Sequence, residues 1–258
     1  MAEPPVQVVW FKRDLRIHDH RPLSDACDAG VVLPLYMVEP ALWQQPDTAQ
    51  RHWDFIAESL EALAADLAEL GLPLCVMEGE AADVLERVVA VLGPCELRSH
   101  QETGNAWSFA RDRGVADWCR RRGVTWHEAR QHGVIRGLGQ RRGWAEQWEA
   151  LMAEPLATPR PARPPRGWQR LAPLPRARWR RLRLGTGREA CASRQAGGST
   201  AGLEVWHSFL AERGMRFHRD IGSPLRARRA GSRLSPHLAW GTLSLRDVVQ
   251  RLRRARSE

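Results

Sequence analysis

The stretch VQVVWFKRDLRIHDHRPL, Val6 to Leu23, starts as an unbroken apolar and β-branched run and then turns abruptly polar. An apolar run without alternation fits a strand covered on both faces, the position that strands hold in a parallel sheet. The polar part crowds Lys12, Arg13, Asp14, Arg16, His18, Asp19 and His20 together, and the apolar pattern resumes only at Leu23. A charged loop directly after the first strand of such a sheet stands where ligands bind, beyond the carboxyl ends of the strands. Two readings of the loop stay open. Asp14, flanked by Arg13 and Arg16, is either a charge cluster tying the loop to its neighbours or one wall of a pocket for an acidic or heteroaromatic ligand. Asp19 stands where a cap for the following helix is expected.

Outward from this stretch the chain alternates β-rich runs with helical patterns. The further strands expected are VVLPLYMV (Val31 to Val38), PLCVMEG (Pro73 to Gly79), ELRSHQ (Glu96 to Gln101) and VTWHEA (Val124 to Ala129). The clearest helix is AQRHWDFIAESLEALAADLAELG, where Trp53, Ile56, Leu60, Leu63, Leu67 and Leu70 recur at steps of three and four. This rhythm predicts an α/β fold, a doubly wound parallel five-stranded Rossmann-like sheet with right-handed crossovers. It occupies 1–154, followed by an Arg/Pro-rich linker at 155–200 and the start of a helical domain at 201–258.

The chain has 258 residues and a formal net charge of +9, and the excess is uneven. No acidic residue falls between Glu154 and Glu189, while Arg160 to Arg183 holds nine arginines and several prolines. Such a stretch is either a solvated, stiffened linker or a surface for a polyanion such as nucleic acid. No apolar run approaches the roughly 20 residues of a membrane span, and the start lacks the layout of a secretion signal. The five cysteines are scattered without a C-x-x-C pair, as in a reducing compartment. A cytoplasmic monomer without a metal site is expected.

Other features have plain readings. Gly137, Gly139 and Gly143 do not match G-x-G-x-x-G and read as a turn. His100 and Glu102 stand near the end of a predicted strand, where a ligand would meet them. Most of the twelve tryptophans, including Trp53, Trp118, Trp144 and Trp148, lie on helical stripes and read as core.

Taken with GSRLSPHLAWGTLSLRDVV near the end of the chain, VVWFKRDLRIHDHRPL resembles the photolyase/cryptochrome family in two motifs that occur in the family's order. The resemblance implies an α/β domain holding an antenna chromophore and a helical domain holding FAD. It also implies electron transfer from photoexcited reduced flavin to a pyrimidine dimer flipped out of damaged DNA. Carried over by position, Gly231, Ser232, Arg233, Leu234 and Ser235 would hold the flavin diphosphate, with Phe217 as the nearby aromatic. Arg13, Asp14, Arg16, Glu102 and Asn105 would border the antenna. The Asn-Glu pair of folate-binding members is missing around Asn105, which leaves the antenna's identity open and disfavours folate. The family's later flavin-pocket segments have no counterpart after Val249, so the chain reads as the N-terminal part of such a protein, binding FAD weakly, with a loosely packed region beyond about Arg188. A cryptochrome-type photoreceptor and a nucleotide- or DNA-binding module without photochemistry are the alternatives. No catalytic residue is assigned.

Overall fold

The computed structural model describes residues 5–184 and 191–255. Five parallel strands form one sheet in the order β3-β2-β1-β4-β5: β1 (Val6–Phe11), β2 (Val32–Val38), β3 (Cys75–Glu78), β4 (Cys95–His100) and β5 (Trp126–Ala129). Helices α1 (Arg21–Ala29), α2 (Pro40–Trp43), α3 (Gln50–Glu69), α4 (Ala81–Leu92), α5 (Ala106–Arg122) and α6 (Trp144–Ala153) alternate with or follow the strands. Every residue of β1 and β2 is buried, as the unbroken apolar runs predict for strands covered on both faces. Alternation divides them. Val9, Phe11 and Val38 pack with Leu23 of α1 and Trp53, Ile56, Leu60 and Leu63 of α3. Val8, Trp10 and Leu35 pack with Val84 and Val88 of α4 and Val115 and Trp118 of α5 on the other face. The strand order reverses between β1 and β4, so the loop after β1 lies at the switch point where such sheets place ligands.

The Arg/Pro-rich stretch, described as far as residue 184 and again from 191, is strapped along the α/β unit. Ala162 N–H donates to Leu70 O at 2.9 Å, and Leu174 N–H to Val76 O at 2.7 Å. Trp179, in α7 (Arg176–Trp179), is buried, and its carbonyl accepts the Trp53 indole at 2.9 Å. Arg180 and Arg194 pair with Glu61 and Glu58 of α3 at 2.6 and 2.5 Å. Two arginines of this part of the chain therefore meet acids on a neighbouring helix, and with the backbone bonds and buried Trp179 it departs from a solvated linker.

Beyond it lie α8 (Ser199–Ala211), α9 (Phe217–Asp220), α10 (Ala227–Ala230), α11 (Ser235–Ala239) and α12 (Leu245–Ala255). Trp206, Leu234, Leu243 and Val248 form their small shared core. Residues 240–247 depart from the expectation of loose packing, because they dock on the β1–α1 loop. Loose packing describes 212–229, where Met215 is 84% and Leu225 92% exposed. Two smaller expectations also change. His20, not Asp19, caps α1, its Nδ1 accepting Leu23 N–H at 3.1 Å. Trp53 and Trp118 are core, whereas Trp144 is 41% exposed and stacks on Trp148 beside Gly133.

Candidate functional site

The loop after β1 folds around a buried carboxylate. Asp14 Oδ2 meets His20 Nε2 at 3.0 Å and His100 Nδ1 at 2.8 Å, while Oδ1 accepts Lys12 N–H at 2.7 Å. Burial by itself would raise this carboxyl, but the two imidazoles hold it well below the usual carboxylate range. Ligating atoms of Asp14, His20 and His100 approach one another closely enough to hold a metal ion. The hydrogen bonds oppose that use. Because His20 Nδ1 already accepts Leu23 N–H, the ring proton of neutral His20 sits on Nε2 and points at Asp14. The trio therefore satisfies itself as a hydrogen-bonded hub.

Arg16 and Asp19 join this loop to the C-terminal segment. Arg16, buried, donates to the carbonyls of His18, Asp19 and Gly241 and to the Gln131 side chain. Asp19, at a positive φ of 51°, accepts Ala157 N–H, the Ser244 hydroxyl and two N–H groups of Arg246. Gly241 also has a positive φ, 63°, and a Cβ there would collide with the Arg13 carbonyl and Asp14 Cα. Only glycine allows that approach.

A second cluster lies at the carboxyl ends of β1, β2 and β4. Arg111 of α5 pairs with Glu39, Glu102 and Asp112 at 2.8, 2.6 and 2.8 Å, and Arg13 with Glu102 at 3.1 Å. Lys12 Nζ lies between the rings of Trp10 and Trp126, 3.5 Å from Asp112, with no hydrogen-bond partner among the described residues. Burial pushes Glu39 up to about 7 despite Arg111, and one of its oxygens is also unpartnered. Arg13 stacks on Trp240 over the opening. The enclosed space is only about 20 Å³. Of the antenna residues expected from sequence, Arg13 and Glu102 border this space, while Asp14 and Arg16 belong to the hub and the docking contacts. Asn105 caps α5 through Ser108 N–H and donates to Asp47. Sequence reading missed Lys12, Glu39 and Arg111 as members of one cluster; their common signal is placement at strand or helix ends beside the switch point.

The segment expected to hold a diphosphate takes a specific backbone form. Arg233 has a positive φ of 59°, and Leu234 follows at φ −80°, ψ −9°. Such a left-to-right-handed succession makes consecutive N–H groups converge into an anion-binding nest. Among the described residues, the N–H groups of Ser232, Arg233, Leu234 and Ser235 donate no hydrogen bond. Ser232 is half-buried and Ser235 exposed, whereas the Leu234 side chain belongs to the small core. Arg213 holds the segment from behind through the Gly231 and Ser232 carbonyls, and Gln195 through the Arg233 carbonyl. Phe217 packs edge-on against Phe209, with ring centroids 6.2 Å apart. A groove of about 680 Å³ beside these residues is lined by Arg213, Met215, Arg216, Asp220, Arg226 and Arg229.

A doubly wound parallel domain with its charged loop at the switch point thus carries a docked helical segment with a nest-shaped backbone turn. Residues 7–140 match the DNA photolyase family, and the chain belongs to it. It is similar to a deoxyribodipyrimidine photo-lyase from Streptomyces griseus, 32% identical over 96% of this chain and 55% of that protein. Two solved structures share the fold. A Synechocystis cryptochrome matches with a TM-score of 0.77 at 20% identity, over 100% of this chain and 57% of its own. An archaeal photolyase from Sulfolobus tokodaii with two FAD molecules matches with a TM-score of 0.75 at 20% identity, over 96% and 55%. The chain spans about half the length of these relatives.

Proposed function

We propose that this chain carries the diphosphate-holding wall of a photolyase-type FAD site, serving light-dependent repair of pyrimidine dimers in DNA. The observation that carries the reading is the nest at 232–235, with four consecutive unpaired N–H groups around the left-handed Arg233. FAD fits the residues present: the Ser232 and Ser235 hydroxyls and the nest N–H groups would hold its phosphates, with Arg216 and Arg229 adding positive charge nearby. When bound and reduced, the flavin supplies an electron to the lesion after light absorption. The chain's own part is to grip phosphate, with Arg213 holding the Gly231 and Ser232 carbonyls in place, and to fix the segment that follows to the α/β domain through the Asp19–Arg246 pair.

An antenna chromophore does not fit the space between Trp10, Glu39, Arg111 and Trp240, which the ion pairs fill and Arg13 covers. Similarity to a photo-lyase along 96% of the chain supports repair over signalling. A cryptochrome-type photoreceptor is the second reading, supported by the fold match to the Synechocystis protein along the whole chain.

Titration of the chain with FAD, ADP and riboflavin tests the phosphate grip. FAD is expected to bind weakly, with ADP competing and riboflavin inert, and Ser232→Ala with Ser235→Ala to weaken FAD about fivefold or more. Riboflavin binding as tightly as FAD would contradict it. Light-dependent restoration of a dimer-containing oligonucleotide by the flavin-loaded, reduced chain, absent in the dark, separates repair from photoreception.

A further inference from the structure

A cavity of about 1050 Å³ lies away from the nest, between α1, the end of β5, α6 and the strap 154–160. Its floor is apolar, with Ala129, Ala150, Leu151, Pro155 and Leu156, and four arginines are among its lining residues. Three of these are matched. Arg21 pairs with Asp25 at 2.9 Å, Arg246 with Glu154 at 2.7 Å and Arg160 with Asp28 at 3.9 Å. Those three pairs use every carboxylate of the lining. Arg130 is left over. Its Nε and Nη2, the edge that takes a carboxylate or phosphate with two parallel bonds, are shielded from water and have no hydrogen-bond partner among the described residues.

A shielded guanidinium edge without an acceptor loses hydration and gains nothing in return, which is costly unless another group completes it. Here the incomplete cation borders a cavity of the size that encloses small organic ligands, with an apolar floor. We propose that this cavity binds a small organic anion, a phosphate or carboxylate head group on an apolar body, and that Arg130 grips the head. The ligand must draw the Nε–Nη2 edge toward the cavity, a side-chain rotation that the half-buried position of Arg130 permits. This site is independent of the flavin reading and survives if that reading fails.

Calorimetric titration of the chain with phenyl phosphate, benzoate and inorganic phosphate tests it. Phenyl phosphate or benzoate is expected to bind with a Kd below about 1 mM, and the preferred one identifies the head group. Inorganic phosphate, without the apolar body, is expected to bind more weakly. Arg130→Gln should reduce affinity about tenfold or more, while Arg21→Gln, whose charge Asp25 already matches, should change it less than about threefold. Ala150→Phe, on an exposed face of α6, places a ring against the apolar floor with Arg130 unchanged and should also weaken binding of the aromatic anion, which keeps the test decisive if Arg130→Gln fails to fold. No binding by either aromatic anion, equal binding by inorganic phosphate, or unchanged affinity in Arg130→Gln or Ala150→Phe would overturn the proposal.

Discussion

Residues 240–247 and residues 212–229 belong to the same C-terminal part of the chain and both carry arginine and aspartate, yet they meet the α/β domain in opposite ways. In the first, the partners come from the β1–α1 loop: Trp240 O accepts Leu15 N–H, Gly241 O accepts Arg16, and Ser244 and Arg246 bind Asp19. In the second the ion pairs are local, with Arg219 and Arg226 both on Asp220, the longer-range bonds of Arg213 and Arg228 stay within the C-terminal part and the strap, and Met215, Ile221 and Leu225 face solvent. Polar partners on the α/β domain produce burial, and nearer ones leave a segment at the surface. The nest at 232–235 lies between the two, anchored on its C-terminal side and open on the other.

The largest effect should follow from breaking the anchored side. Asp19→Ala leaves the guanidinium of buried Arg246 with only half-exposed Glu154, and a loss of about 3–5 kcal/mol is expected from removing one partner of a buried pair. Urea unfolding measures it, and a loss no larger than that of a surface substitution would erase the contrast between the segments.

Acid should sharpen the same contrast. Burial pushes His237, in the docked segment, down to about 4 and His100, beneath it, down to about 3, with neighbouring His20 adding to the latter. Both rings stay neutral in the folded chain, whereas the unfolded chain protonates them near pH 6.5. Their stabilising contribution is therefore complete above about 6.5 and declines as pH falls toward the folded values. Between pH 7 and 5 each ring should remove roughly 2 kcal/mol from the unfolding free energy. Glu39, which burial raises to about 7, works in the opposite direction over the same interval, because its folded carboxyl takes up a proton that the unfolded one does not. The ring is therefore read by difference: urea midpoints at the two pH values should show His237→Asn losing roughly 2 kcal/mol less than the parent chain on acidification, and an identical pH response in the two chains would show that the ring is not held neutral.

Much of the α/β half was legible in the sequence because its signals are periodic. The run Val6 to Phe11 reads as a fully covered strand, and the steps of three and four from Trp53 to Leu67 read as a buried helix stripe. The docking contacts carry no such signal. Asp19 and Arg246 are far apart in the chain, and nothing in the spacing of charges says which distant pair will meet. For the same reason Asp19 was read as a helix cap, a local role that His20 fills instead. At the site, the diphosphate segment was recognisable by its motif, while the left-handed turn at Arg233 was not, because arginine does not advertise a positive φ.

The smallest effects belong to the open segment. Met215→Ser and Leu225→Ser should each change stability by less than about 0.5 kcal/mol, since both side chains are already in water. A larger loss in thermal unfolding would mean that 212–229 is covered in solution, which would remove one side of the comparison.

Amide hydrogen exchange tests the central claim most directly, that the phosphate nest is fixed to the α/β domain on one side only. The account predicts that amides from Leu243 to Val249 exchange as slowly as those of β1, that 213–229 exchange fast, and that FAD slows exchange at Ser232 to Ser235. Equal exchange in 213–229 and 243–249, with no effect of FAD at the nest, would contradict it.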